Sequence, residues 1–457
     1  MTQLAHPQDR SPQELDRLAE LAEDVIRRAR AAGASQAEVA ANVDVGLSVN
    51  VRLGEVETVE HTRDRGFGLT VYFGQRKGSA STADLNPDSI QATLEQACAI
   101  ARYTEEDPAA GLADAARMAH EFPDLDLWHP WDVDTPEAIA LGIEIEAAGR
   151  AHAGITNSDG ASVQMGQSLS VYANSHGFIG RERGTRHSLS VALIAGTDDG
   201  MQRDYWYDTQ RSARNFASAQ SLGDMAAERT LARLDAQSLS TRQSPVLFAP
   251  EVARGLIGHL IGAVSGGSLY RRASFLLDHA GKQVMPSWMT IVERPRLPGG
   301  HGSAAFDAEG VTTADSSLIE NGVLQRYVLG SYSARKLGLS STGNAGGIHN
   351  LIVQPGHAGG AGDDFAGMLK RLGTGLLVTE VMGQGVSTIT GDYSRGAAGF
   401  WVENGQIAYP VEEITIAANL RDMYANIVAV GADVDPRSHL LTGSILLERM
   451  TIAGEGE

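Results

Sequence analysis

The side chains that could do chemistry in this sequence are scattered and form no compact catalytic motif. His259 stands alone in an apolar stretch with Leu260 and Val264, and no second metal ligand accompanies it there. One imidazole makes a poor zinc site, because catalytic zinc keeps three protein ligands and one open position for water. The pattern therefore favours a core or interface role for His259.

Other candidate groups fare no better as a site. His349 and His357 flank an apolar segment that reads as one strand, eight residues apart. At a rise of about 3.3 Å per residue they could not share one ion without a bend. Ser387 and Ser394 could act as nucleophiles only with an activating context, and neither lies in the G-x-S-x-G elbow of a hydrolase. A serine hydrolase is therefore not expected.

Length, composition and charge set wider limits. A chain of 457 residues with 42% hydrophobic content predicts more than one domain, because single cores stop growing at about 250–300 residues. The formal charge of -19 argues against nucleic acid as a partner, since phosphate contacts need clustered Lys and Arg. The single cysteine, Cys98, excludes an intrachain disulfide and is expected to be a small buried side chain. With no apolar leader and no apolar run of about 18 residues, we expect no membrane association and a cytoplasmic location.

The order of patterns predicts an α+β fold, with an N-terminal α+β domain followed by a β-rich, antiparallel C-terminal domain. We place the N-terminal domain at residues 1–124. A linker helix and an antiparallel meander, with a turn at Asp198, Asp199 and Gly200, occupy residues 125–243. A Gly-rich, β-dominated domain fills residues 244–457.

Local signals support these elements. Ser11 followed by Pro12 predicts an N-cap and first turn of a helix that ends near Gly33. Strict apolar and polar alternation over residues 45–53 predicts a strand with one buried face. Asn-Gly supplies positive φ at both central residues of a type I′ turn. Two hairpins are therefore predicted, at Asn321–Gly322 and at Asn404–Gly405.

Longer stretches of the sequence carry a family resemblance. Residues 391–413 read GDYSRGAAGFWVENGQIAYPVEE, residues 66–84 read GFGLTVYFGQRKGSASTAD, and residues 306–343 begin FDAEGVTTADSSLIENG. In these motifs and their order the chain closely resembles the PmbA (TldE) branch of the TldD/PmbA family. Members of that family are subunits of a bacterial metalloprotease assembly. The likeness runs from about Leu15 to Gly454.

The resemblance bears on the metal. The TldD branch carries HExxxH on a helix, with a Cys near the C-terminus as a further ligand. Anchoring the similar helix of this sequence without gaps on Arg271 and Arg272 places the motif positions at Gly258, His259 and Ala263. The final stretch also lacks a Cys. The resemblance thus implies degenerate metal-motif positions, no metal and no catalytic residue in this chain, with zinc expected in a TldD-like partner.

The resulting functional hypothesis is a PmbA/TldE-like subunit of a zinc metalloprotease complex that degrades or processes unfolded peptides. The TldD-like subunit would supply zinc and the catalytic Glu, and this chain would shape the peptide chamber, where an extended peptide could bind by strand addition. Candidates for substrate or interface contact are Thr388, Thr390, Gly391, Ser394 and Arg395. Two alternatives stay open: a non-enzymatic peptide-binding or regulatory homodimer, and a stand-alone metallopeptidase with an unrecognised ligand set.

Overall fold

The first half of the protein is built on one six-stranded antiparallel sheet. The computed structural model describes residues 9–197 and 200–455, so the turn predicted at Asp198 and Asp199 lies outside the described residues. The strands of this sheet are β1 (Gln36–Arg52), β2 (Glu55–Phe73), β3 (Arg76–Thr82), β4 (Ile155–Asn174), β5 (Ile179–Ala195) and β6 (Gln202–Gln210). They lie in the order β3-β2-β1-β4-β5-β6. The pairing of β1 with β4 therefore joins the first and second predicted regions in a single sheet.

Four helices cover one face of this sheet: α1 (Ser11–Ala31), α2 (Pro87–Tyr103), α3 (Thr135–Arg150) and α4 (Ala219–Leu231). Alternation along β1 explains why only one face is covered, since Leu47, Val49 and Val51 are buried among the helices while the residues between them are polar. The predicted strand is confirmed, but it begins nine residues earlier than residue 45, at Gln36.

The start of α1 differs from the prediction by one residue. Ser11 is the first helical residue, and Arg10 is the N-cap, without a side-chain capping bond. The Ser11 hydroxyl instead accepts a hydrogen bond from Arg183 of β5 at 2.9 Å, and its amide donates to the Asp9 carboxylate at 2.9 Å. A tertiary contact has thus replaced the local cap that the sequence pattern indicated. Cys98, on α2, is buried as expected.

The second half contains a seven-stranded sheet that closes on itself. Its strands are β7 (Ser240–Phe248), β12 (Gly356–His357), β13 (Gly375–Met382), β14 (Asp392–Glu403), β15 (Gln406–Asn419), β16 (Ile427–Val430) and β18 (Ile445–Glu455). The order is β12-β16-β18-β15-β14-β13-β7, and β18 also pairs with β7. The strands β7, β13, β14, β15 and β18 therefore form a closed ring.

A smaller sheet and five helices pack around this ring. The sheet contains β8 (Ile291–Glu293), β9 (Ser316–Glu320), β10 (Val323–Leu324), β11 (Leu351–Val353) and β17 (Leu440–Leu441). The helices are α5 (Pro250–Val264), α6 (Gly266–Tyr270), α7 (Ser331–Leu337), α8 (Phe365–Leu372) and α9 (Leu420–Ala425). The apolar side of α5 enters the largest core through Leu256 and Leu260, and the Tyr424 hydroxyl donates to the Leu256 carbonyl at 2.9 Å. The fold is α+β, as predicted.

Both predicted hairpins are confirmed. Asn404 and Gly405 take φ of 53° and 76° between β14 and β15, and Asn321 with its following glycine does the same between β9 and β10. The expectation that His349 and His357 share one strand is wrong. The chain leaves β11 after Val353 and enters β12, which belongs to the other sheet.

Candidate functional site

One face of α5 is bare. Gly255, Gly258 and Gly262 are three and four residues apart, so they lie on the same side of the helix. A Cβ built at any of the three would have no heavy atom within 4 Å beyond the neighbouring backbone of the helix itself. Ala263, by contrast, is fully buried in the core. Of the degenerate metal-motif positions, Gly258 therefore faces open space and Ala263 faces the interior.

His259 lies between these two sides and is half-buried. Its ring meets the ring of Tyr393 edge-on, with centroids 5.9 Å apart and planes at 76°. Burial lowers the pKa of His259, and the positive charge of Arg395 lowers it further. The imidazole is therefore neutral near neutral pH, where it can accept a hydrogen bond but carries no charge.

The residues at the start of β14 point alternately to its two sides. Tyr393 is buried and Arg395 half-buried, and both point to the side of the strand where His259 lies, whereas Ser394 is exposed on the other side. The Arg395 guanidinium donates to the carbonyl oxygens of Val381 and Met382 at 3.4 Å and 3.3 Å. Arg395 thus joins the motif strand to the end of β13.

Thr388, Thr390 and Gly391 form the loop that precedes β14. The Thr390 hydroxyl donates to the Asp392 carboxylate at 2.7 Å, and the Asn419 amide donates to the Thr390 carbonyl at 3.1 Å. Gly391 has φ of 85°, a conformation that side chains with a Cβ rarely adopt. The Thr388 carbonyl accepts the Phe275 amide at 2.9 Å. These contacts brace the loop against its neighbours.

A cleft of about 310 Å³ opens between α5, β6 and β13. Its lining includes Tyr205, Tyr207, Arg254, Gly255 and Val381, so it adjoins both the bare face of α5 and the strand end held by Arg395. Arg254 donates to the Tyr207 hydroxyl at 2.8 Å across a separation of 47 residues. The sequence analysis does not predict this pair, although Tyr205, Trp206 and Tyr207 form an aromatic run in the sequence.

The charges in this cleft are largely paired. Arg229 contacts the Glu251 carboxylate at 2.8 Å, and Arg254 lies 3.5 Å from Asp435. Arg233 bridges Asp204 at 3.7 Å and the Glu380 carboxylate at 2.6 Å. The cleft wall therefore combines aromatic surface with compensated charges, a surface suited to polar, uncharged main chain.

The face of the six-stranded sheet that the helices leave free is polar and built from small residues. Its members alternate with the buried positions along β1, β4 and β5, and three depressions lie along it. The residues of this polar face include Asn42, Ser48, Asn50, Ser168, Ser188 and Ser190. A surface of this kind offers hydrogen bonds without strong side-chain selectivity.

Within residues 9–197 and 200–455, no three His, Cys, Asp or Glu side chains are grouped so that they could hold a metal ion. The positions of the HExxxH pattern do not fit zinc either, since Gly258 offers no donor and Ala263 only a buried methyl. Over the same described residues, no helix is long and apolar enough to cross a bilayer.

Comparison with known proteins identifies the family. Models of the PmbA/TldA metallopeptidase match domain 1 at residues 37–101, the central domain at 128–234 and the C-terminal domain at 241–454. Metalloprotease PmbA of Escherichia coli O157:H7 is 53% identical over 420 residues, which cover 92% of each chain. The chain belongs to the PmbA branch of the TldD/PmbA family. A metalloprotease PmbA homolog of Haemophilus influenzae is 50% identical over 94% of each chain.

Solved structures share the fold of this PmbA-branch chain. A proposed modulator of DNA gyrase from Bacteroides thetaiotaomicron superposes with a TM-score of 0.90 at 26% identity, over 96% of this chain and 99% of the other. TldE from Thermococcus kodakarensis superposes with a TM-score of 0.83 at 20% identity, over 95% and 100%. The resemblance inferred from the sequence motifs is therefore confirmed, and the chain is a member of a metallopeptidase family.

Proposed function

We propose that this chain is the non-metal subunit of a two-subunit zinc metalloprotease acting on unfolded peptides. A TldD-like partner supplies the zinc and the catalytic Glu, and this chain forms part of the wall of the peptide chamber. The observation that carries the proposal concerns the helix α5. It corresponds in sequence to the helix that carries HExxxH in the TldD branch, but Gly258 and the buried Ala263 stand where the metal ligands would be needed.

The open surfaces support a role in shaping a chamber. The bare face of α5, the adjoining cleft and the polar face of the sheet together offer main-chain and small polar groups. An extended peptide can bind such surfaces through its own main chain, with little dependence on sequence. Positioning a substrate and excluding water contribute much of an enzyme's rate, so a subunit without ligands can still matter for catalysis.

The loop and strand around Arg395 support an interface with the partner. Ile389, in the loop before β14, is 62% exposed, and Met382, at the end of β13, is 45% exposed. We propose that these two exposed apolar side chains contact the partner subunit, since exposed apolar surface can mark a contact between proteins. Thr388, Thr390, Gly391, Ser394 and Arg395 are proposed to hold this surface in shape rather than to act on the peptide bond.

Metal analysis and a mixing assay test the proposal. The purified chain and a TldD-like protein from the same source are each analysed for zinc and assayed on an unfolded peptide, alone and mixed. We expect stoichiometric zinc only in the partner and peptide cleavage that rises on mixing. A His259→Ala variant of this chain should leave the zinc content of the mixture unchanged, whereas replacing the Glu of HExxxH in the partner should abolish cleavage.

Each alternative gives a different result. Stoichiometric zinc in this chain alone, or cleavage by it alone, would support a stand-alone metallopeptidase and overturn the proposal. Peptide binding without any effect on the TldD-like protein would indicate a regulatory homodimer instead.

A further inference from the structure

The centre of the polar face contains a trough whose floor is glycine. Thr62, Gly46, Gly166 and Arg186 pair in one row across β2, β1, β4 and β5. A Cβ at Gly46 would lie 2.7 Å from the Thr62 hydroxyl, and one at Gly166 would lie 2.9 Å from the Arg186 carbonyl. The absence of side chains at these two positions leaves a cavity of about 360 Å³, with Arg186 at one side.

A second arginine enters the same cavity from the end of β6. The guanidinium of Arg211 lies over Gly184, where a Cβ would be 3.0 Å from its Nη1. Nη1 donates to the Thr185 carbonyl at 3.1 Å, and Nη2 donates to the carbonyls of Gly300 and His301 at 2.9 Å and 3.1 Å. Its buried Nε has no hydrogen-bond partner. Main-chain oxygens thus fix Arg211 in place without neutralising its charge.

The positive charge in the cavity is not compensated. Within residues 9–197 and 200–455, neither Arg186 nor Arg211 has a carboxylate within 4 Å, and Arg186 makes no side-chain hydrogen bond. Burial lowers the pKa of His301 to about 4, and the charges of both arginines contribute to this shift. Burial also lowers the pKa of Arg211, and Arg186 adds to that decrease. The cationic groups therefore repel one another.

One acidic residue lines the trough, but it is engaged elsewhere. The Asp44 carboxylate accepts a hydrogen bond from the Asn42 side chain on the same strand. Asp44 on β1 pairs with Ser168 on β4, which in turn pairs with Gly184 on β5. Asp44 is therefore two strands away from Gly184, the residue over which Arg211 lies. The chain has a net charge of -19, so two arginines that share one cavity without a carboxylate of the described residues beside them distinguish this cavity from the rest of the surface.

We propose that this trough binds a carboxylate group of the peptide substrate, with Arg186 and Arg211 as its two ligands. The inference rests on the proposed function, because it names the substrate group that the chamber wall would hold. Guanidinium groups match carboxylate geometry and form the stronger, charge-assisted class of hydrogen bond. The glycine floor lets the peptide main chain approach the sheet closely. The carboxylate is that of the peptide C-terminus or of an Asp or Glu side chain.

Binding of labelled peptides to this chain alone tests the inference. An unstructured peptide with an N-terminal fluorophore is prepared with a free or amidated C-terminus and, in each case, with one internal Glu or with Gln in its place. Fluorescence anisotropy gives the Kd of each form. We expect the form without any carboxylate to bind about tenfold more weakly or worse, since it loses the charge-assisted hydrogen bonds to the two arginines. If amidation weakens binding, the carboxylate is that of the C-terminus. If Gln in place of Glu weakens binding, it is that of the side chain.

Variants then assign the effect to the trough. Arg186 is exposed and makes no side-chain hydrogen bond, so Arg186→Gln should leave the fold intact. In this variant the Kd of the carboxylate peptide should rise to that of the carboxylate-free peptide. Arg181→Gln is the matched control, because Arg181 lies on the same strand but pairs with Asp16 at 3.6 Å on the helix-covered face. The Kd of the Arg181→Gln variant for the carboxylate peptide should equal that of the wild type.

The inference is overturned if wild-type protein binds all peptide forms equally, if it binds none of them, or if Arg181→Gln weakens binding as much as Arg186→Gln. Failure of the proposed function would look different. Carboxylate-dependent binding that disappears with Arg186→Gln, together with no effect on a TldD-like protein, would retain this site and reject the subunit role.

Discussion

Removal of Arg326 should expose how strongly the second half of the protein depends on one buried carboxylate. Glu293 on β8 is 2% exposed. It accepts hydrogen bonds from the His349 amide at 2.6 Å, the His349 ring at 3.1 Å and the Asn344 side chain at 2.9 Å, and it pairs with the Arg326 guanidinium. The substitution Arg326→Met keeps an apolar stem of similar length but leaves the Glu293 charge without a cation.

The expected loss is large for a single substitution. Breaking a buried ion pair by removing one partner costs about 3–5 kcal/mol, because the remaining charge is left in a poorly solvated place. The Arg326 side chain is 15% exposed and three donors to Glu293 remain, so we expect a loss of about 2–4 kcal/mol in the free energy of unfolding.

The pH dependence follows from the same contacts. Burial raises the pKa of Glu293, but the His349 hydrogen bond and the Arg326 charge together hold it below the usual value of 4.5. A lowered folded-state pKa contributes stability above the unfolded-state pKa, and this stability is lost as the pH falls through the folded-state value. In Arg326→Met the pKa of Glu293 rises, so less stability depends on its ionisation, and the loss relative to the wild type should shrink as the pH falls through about 4.5.

Urea unfolding followed by tryptophan fluorescence measures both effects. A double-mutant cycle adds Glu293→Gln, which removes the buried charge. Arg326→Met should therefore cost much less free energy of unfolding in the Glu293→Gln background than in the wild type. The control is Arg76→Gln, because the Arg76–Glu106 pair is exposed and should contribute less than about 1 kcal/mol. A loss below about 1 kcal/mol for Arg326→Met, or additive losses in the cycle, would refute the reasoning.

Further predictions concern glycines and titrating groups. Gly223→Ala should lower the free energy of unfolding by about 1–3 kcal/mol, because its Cβ would lie 2.5 Å from a backbone nitrogen of α3. Gly258→Ala should raise it by up to about 1 kcal/mol, because alanine favours the helix more than glycine and no atom lies where the Cβ would be. Calorimetry tests each prediction by its sign: a gain for Gly223→Ala would contradict the first, and a loss for Gly258→Ala would contradict the second. Arg395→Gln should raise the pKa of His259 measured by NMR, and an unchanged value would reject their coupling. Burial raises the pKa of Glu182 to about 7, so thermal stability should decrease as the pH rises from about 4.5 to 7, and Glu182→Gln should remove that decrease; an identical pH profile in the variant would exclude Glu182 as its cause.

Local features of the fold were predictable because their causes are local. Asn404 and Gly405 fix a hairpin wherever they occur between β-favouring segments, since positive φ is a property of the two residues themselves. The alternation around Val49 gave the covered face of β1 for the same reason. The cap at Ser11 failed because a distant arginine competes for its hydroxyl.

The candidate site was predictable only in part. The motif around Arg395 and the solitary His259 were both singled out, but their proximity depends on how α5 packs against β14. Tyr393, which mediates that contact, lies within the motif and carried no separate signal. Arg186 and Arg211 were missed because their environment is set by cross-strand register and by a loop from the other half of the chain.

The ring of strands in the second half has a consequence for biosynthesis. Phe248 of β7 pairs with Ile445 of β18, so the first strand of the ring must wait for nearly two hundred further residues to leave the ribosome. Until then β7 and β15 each lack the neighbour that β18 supplies, and such open strand edges are prone to misassembly in a nascent chain. The ring therefore cannot close until β18 has been synthesised, and premature termination before β18 should yield a product for chaperones and proteases rather than a shorter working protein.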